Sequence, residues 1–184
     1  MRGGARPESL TLLLAAFSAF AFAPRVPGFR RPGFYHAVLA DRQVQGPVVV
    51  LRSGHDTALG TFYPLASSGQ PDRRPGVSPP SHPKRHGRQG RLALVATSAL
   101  GAVGARGVGA PEVDLVPVQQ TGIPSYPIVN VDGSAVVRAR EPFMGAHRDI
   151  FHPEVATLVA MAAGLLVGGP DGARPLPVDP RVTP

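Results

Sequence analysis

The chain of 184 residues contains no cysteine and no tryptophan. Without thiols it has no disulfide framework, no cysteine metal site and no thiol nucleophile. Lysine occurs only as Lys84, whereas Arg, Ala, Gly and Pro abound. That bias reads as a GC-rich coding sequence and carries no chemistry. Long apolar runs are missing as well: no segment holds the roughly 20 apolar residues that a membrane span requires. No repeat of fixed period is present. The glycines between Gly101 and Gly109 are followed by no Walker lysine, so a phosphate-cradling loop has little behind it. Protein-kinase signatures are absent too.

What the chain does have is glycine and proline, 22 of each, close to the level of low-complexity sequence. An apolar fraction of 43% nevertheless argues against disorder throughout. The two together imply an ordered core interrupted by a long irregular stretch. The formal net charge of +7 has the same uneven distribution. Gly69 to Arg91 holds six basic residues (Arg73, Arg74, Lys84, Arg85, Arg88, Arg91) against one acid, Asp72. This stretch has no aromatic residue and no helical period, whereas nucleic-acid grooves usually interleave stacking aromatics with cations. It reads as a solvated, disordered basic insertion, and no specific nucleic-acid partner is expected.

Along the rest of the chain, apolar runs alternate with turn chemistry. Leu10–Leu14 is either a buried strand or the centre of a secretory signal. Pro24–Gly33 reads as loop and Phe34–Arg42 as a short helix. Pro47 opens Val48–Leu51, an unbroken apolar run that predicts a strand covered on both faces. Thr57–Ala66 is expected to be a helix, and Leu92–Val108 is a glycine-weakened helical candidate. Val113–Val118 is expected to be a strand. Tyr126–Ala139 is expected to be two strands joined at Asp132-Gly133, a favoured hairpin pair. Pro153 and Glu154 suit the start of a helix, which Gly168-Gly169 would stop. Its apolar stripe comprises Val155, Leu158, Val159, Ala162 and Leu165 or Leu166. The tail from Pro170 is proline-rich. Strands alternating with helices predict an α/β sheet. The expected organisation is a first part of the core at 1–68, the basic insertion at 69–91, a second part with the terminal helix at 92–169, and a disordered tail at 170–184.

In open α/β sheets, reactive groups gather just beyond the carboxyl ends of strands. Asp56 follows the Val48–Leu51 run, and His147 lies between the last strand signals and the final helix. An acid and an imidazole so placed are two thirds of a nucleophile–His–acid triad. At these residues the chain resembles the α/β-hydrolase fold. There the triad acid follows a strand of the form Pro-apolar-apolar-apolar-x-x-Gly-x-x-Asp, and Pro47–Asp56 matches with Ser53 in place of the glycine. The family histidine sits in Gly-His or Gly-x-His shortly before a Pro-Glu that opens the last helix. Gly145-Ala146-His147 followed by Pro153-Glu154 matches that pattern, and the order of acid, histidine and helix agrees. The resemblance covers Val44–Ala66 and Tyr126–Val167. More narrowly, the segments around Leu10–Ala23, Gly46–Ser67 and Gly145–Glu154 look like an actinobacterial group of α/β-hydrolase-like proteins.

The resemblance implies a partial hydrolase-like sheet with flanking helices, catalytic residues Asp56 and His147, no cofactor and no metal, and a small ester or amide as substrate. The chain departs from the family in one respect above all: it contains no Gly-x-Ser-x-Gly. The family nucleophile precedes the acid, so the expectation is a fragment, a mis-assigned start, or a degenerate copy that is not competent alone. Ser98 is a weak nucleophile candidate, because Ala96 and Leu100 replace the elbow glycines and its place in the chain order is wrong. His147, Asp149 and His152 form an equally weak metal candidate. An incomplete sheet would leave an apolar edge, hence an expectation of self-association. A cytoplasmic location is expected. The alternative is a non-catalytic secreted or binding protein with a signal peptide over residues 1–23, supported by Arg2, Arg6 and the Ala21-Phe22-Ala23 cleavage pattern.

Overall fold

A computed structural model describes residues 5–29, 31–67, 98–169 and 174–175. Its centre is the valine run. Strand β2, Val48–Arg52, is flanked by β1 (Leu10–Leu13) and β4 (Ile128–Asp132), and β3 (Glu112–Asp114) pairs with the far side of β4. All three pairings are parallel, giving the order β1-β2-β4-β3. The architecture is α/β, with a parallel four-stranded sheet and helices. Val48, Val49, Val50 and Leu51 are all 1% exposed or less, as their unbroken apolar run requires. Removing each such side chain from water is worth about 2 kcal/mol, so β2 anchors both faces of the sheet.

The alternating side chains of the strands divide the core in two. Val49, Leu51, Val129 and Val131 face one cluster with Leu115, Val118, Val155 and Leu158. Val48, Val50 and Ile128 face the other, with Phe22, Leu100 and Ala105. The first layer is helix α4 (Leu115–Thr121) and helix α5 (Pro153–Ala162). The second is built by Ala21–Phe22, helix α1 (His36–Ala40) and the crossover after α3 (Leu100–Val103). The Leu10–Ala23 segment is thus an edge strand of the sheet followed by a buried turn, with Ala19, Ala21, Phe22 and Ala23 all at most 2% exposed.

Buried Asn130, on the middle of β4, fixes that crossover. Its Oδ1 accepts from the Ala105 amide at 2.7 Å, and its Nδ2 donates to the Ala105 carbonyl at 3.2 Å. Both main-chain polar groups of buried Ala105 are thereby satisfied by one side chain.

Several local expectations are corrected. Val113–Val118 is not one strand: β3 ends at Asp114 and α4 begins at Leu115. Leu115 and Val118 are buried while Val116 is 47% exposed, so helical spacing prevails over alternation. Pro117 falls in the first turn of α4, where its missing N–H is no loss. Tyr126–Ala139 holds one strand and no hairpin. Both edges of β4 are taken by the parallel neighbours β2 and β3, leaving no edge for a returning strand. Asp132-Gly133 still turns: Asp132 accepts the Ser134 amide, and the Gly133 carbonyl accepts those of Val136 and Val137. α5 ends at Ala162, not at Gly168, because Gly164 takes a left-handed φ of +71°. Its buried stripe uses Met161, while Val159 and Leu165 face outward. Of Leu92–Val108, only Leu100–Val103 is helical among the described residues. The basic segment 69–91 lies outside the described residues. In the tail the structure describes Arg174–Pro175, strand β6, which pairs antiparallel with β5, Leu166–Val167. No helix among the described residues is long and apolar enough to cross a membrane.

Candidate active site

β2 and β4 run parallel and adjacent, so their carboxyl ends open on the same rim. The turn after β2 is built around Ser53, which is fully buried. Its hydroxyl donates to the Val137 carbonyl at 2.6 Å and accepts the His55 amide at 3.1 Å. One side chain therefore ties the turn that carries Asp56 to the segment leaving β4. A glycine could supply the turn but not this bond.

Asp56 is 1% exposed and uses its two oxygens for two tasks. Oδ1 accepts the Leu59 amide at 2.9 Å, satisfying an orphan donor at the start of the π-helical turn Ala58–Phe62, which runs into α2 (Tyr63–Ser67). Oδ2 accepts from Nδ1 of His147 at 2.7 Å. A capping role and a pairing role coexist in one carboxylate. π-Helical turns recur at functional sites because their wider hydrogen-bond loop re-aims the residues around them.

The loop that delivers His147 is tied to the Asp56 turn by main-chain bonds. The Ala58 amide donates to the Met144 carbonyl at 3.3 Å, and the Ala146 amide to the His55 carbonyl at 3.0 Å. Gly145 sits between them with φ +60°. A Cβ there would lie 2.4 Å from the His55 carbonyl oxygen and 2.5 Å from the Thr57 amide nitrogen. The glycine of Gly-x-His is thus required by both its φ and its closeness to another backbone. Phe143 also has a left-handed φ, +65°, although its side chain is 77% exposed, and its ring lies 6.4 Å from that of Phe62.

With a carboxylate oxygen as acceptor, Nδ1 of His147 is the donor. Nε2 is then the ring nitrogen with the available lone pair, and the side chain is 29% exposed. The pair can therefore take up a proton from a group presented at the rim and return it.

The weaker candidates are placed elsewhere. Ser98 lends its backbone carbonyl to the Ala19 amide and makes no hydrogen bond to His147. Asp149 and His152 do not join His147 around a common point: Oδ1 of Asp149 accepts from Nε2 of His152 at 2.8 Å, while His147 turns to Asp56. Among the described residues no group of three His, Cys, Asp or Glu is arranged to hold a metal ion. A groove of about 820 Å³, floored by Val38, Leu39, Ile123 and Met161, opens at the amino ends of β2 and β4. Neither Asp56 nor His147 lines it.

Two features escape the sequence patterns. Ser53 stands where the pattern has glycine, and nothing local shows that its hydroxyl will reach Val137. Asp149 bonds to Arg138 and Ala139, and its only sequence signal is an acid three residues before His152. Compared with known proteins, the chain matches no family model, no curated sequence and no solved structure.

Proposed function

We propose that this chain carries the acid and base of an α/β-hydrolase-type triad and serves in hydrolysis of small esters or amides. The reading is supported by one observation above all. The two residues singled out by motif order, 91 positions apart, meet at 2.7 Å on loops beyond adjacent parallel strands. In this role Nε2 of His147 accepts the nucleophile's proton as the acyl carbon is attacked, then delivers it to the leaving group. Asp56 holds the Nδ1–H tautomer and stabilises the imidazolium formed in between. The chain has no Gly-x-Ser-x-Gly, so the nucleophile comes from polypeptide outside these 184 residues. One oxyanion donor follows the nucleophile in this fold and comes with it.

The test starts from the nucleotides upstream of Met1, where an in-frame strand, Gly-x-Ser-x-Gly and helix are expected. The extended protein should hydrolyse short-chain nitrophenyl esters, and the 184-residue chain should not. His147→Ala should abolish turnover, and Asp56→Asn should lower kcat by about 10⁴. An extended, folded protein whose turnover survives His147→Ala would defeat the proposal. Clear turnover by the 184-residue chain, lost in His147→Ala, would show instead that the nucleophile lies within it.

A further inference from the structure

His147 stands on a long excursion that leaves the sheet after Asp132 and ends at the start of α5. One carboxylate closes the base of that excursion. Oδ2 of Asp149 accepts from the backbone amides of Arg138 and Ala139, each at 2.8 Å. Its Oδ1 accepts from Nε2 of His152, the residue immediately before α5. The outgoing limb of the loop, its return and the residue before the helix are thus joined at a single side chain. On the far side of His147, Met144 and Ala146 are bonded to the Asp56 turn. His147 lies between these two attachments. Asp149 makes no hydrogen bond to the imidazole of His147, which is bonded to Asp56.

We infer that Asp149 is a positioning residue for His147, closing the 138–152 loop so that the imidazole is held over Asp56. The word positioning rests on the triad reading above; the loop closure rests on geometry alone. A carboxylate suits the task because it has lone pairs for several donors at once, and charge-assisted bonds are stronger than neutral ones. The same bonds act on its titration. Burial pushes the Asp149 carboxyl upward, but the amides of Ala139 and Arg138 and the His152 imidazole together hold it below the ordinary carboxylate range.

The test needs no turnover. In the full 184-residue chain, proton NMR of the imidazole N–H region should show a protected Nδ1–H for His147, identified by its loss in His147→Gln. Asp149→Ala should accelerate its exchange at least tenfold or abolish the signal. Asp149→Asn, whose amide oxygen still accepts backbone N–H groups, should preserve it. A merely structural Asp149 would lower the melting temperature in both variants and leave the His147 resonance alone. A folded Asp149→Ala that keeps the wild-type signal overturns the inference, and so does loss of the signal in a folded Asp149→Asn. If Asp149→Ala does not fold, hydrogen exchange of the wild-type chain decides. Each referred to its own intrinsic exchange rate, the Arg138 and Ala139 amides should show the same protection as the His147 Nδ1–H, and protection of those amides more than tenfold weaker overturns it. If the wild-type chain lacks a His147 Nδ1–H signal that depends on Asp56, the triad reading fails instead, so the two failures are distinguishable.

Discussion

Gly145→Ala separates two reasons for a glycine, conformation and room. The residue has φ +60°, which an L side chain adopts at a cost of about 1–2 kcal/mol. Gly164 has φ +71° and nothing within 4 Å of an added Cβ, so Gly164→Ala reports the conformational cost alone. At Gly145 the new carbon would lie 2.4 Å from the His55 carbonyl oxygen. Ordinary non-bonded contact begins near 3.4 Å, so the loop must retreat by about 1 Å. That retreat breaks the 3.0 Å bond from the Ala146 amide to the His55 carbonyl, worth about 1 kcal/mol net and more if the groups stay dry. Gly145→Ala should therefore destabilise the chain by about 2–4 kcal/mol, exceeding Gly164→Ala by at least about 1 kcal/mol. The unfolded-state entropy change is the same for both and cancels in the difference. The retreat also stretches the Asp56–His147 contact past hydrogen-bonding reach, removing the Nδ1–H signal. Urea unfolding followed by circular dichroism reads the first quantity and proton NMR the second. Equal destabilisation of the two variants, or an intact imidazole signal in Gly145→Ala, would refute the claim that backbone contact positions His147.

Asn130→Ala leaves the amide and carbonyl of Ala105 buried without partners and should cost about 2–4 kcal/mol in urea unfolding. At Phe143, asparagine tolerates the left-handed φ whereas a β-branched side chain does not. Phe143→Val should therefore be less stable than Phe143→Asn by about 1 kcal/mol, a comparison that thermal unfolding resolves. The pH dependence follows from two carboxylates held below the ordinary range. For Asp132, burial acts upward but is outweighed by hydrogen bonds from Ser134 and by Arg52; for Asp149 the bonds are those already described. A depressed folded pKa gives stability that is complete above the unfolded value near 3.9 and lost as pH falls through the folded value. Urea midpoints should thus be insensitive to these groups above about pH 5 and fall below about pH 4, less steeply in Asp149→Ala.

Much of the architecture was legible because it rests on near neighbours. The unbroken Val48–Leu51 run suits a strand covered on both faces, and that is its position at the centre of the parallel sheet. Pro153 and Glu154 mark the start of α5 through chemistry confined to its first turn. Asp56 was legible as a candidate because it follows the Val48–Leu51 run by a few residues, and His147 because it lies between the last strand signals and the final helix. The failures share a cause. Asp132-Gly133 has hairpin chemistry, but a hairpin also needs a free strand edge, and the pairing of β4 with β2 and β3 removes it. Val113–Val118 has a strand's composition, but burial of Leu115 and Val118 against α5 and the sheet selects a helical period.

The residues by themselves determined which segments are apolar, where turns and the last helix begin, and which side chains have chemistry to offer. Tertiary structure alone decided that the Asp56 oxygen left over from capping its own turn meets His147. It also decided that Ser53 reaches Val137, and that Asp149 bonds back to Arg138 and Ala139. The reason is physical: capping and periodicity act within a few residues, whereas the Ser53–Val137 and Asp56–His147 bonds join segments more than 80 positions apart that only packing on the common sheet brings within 3 Å.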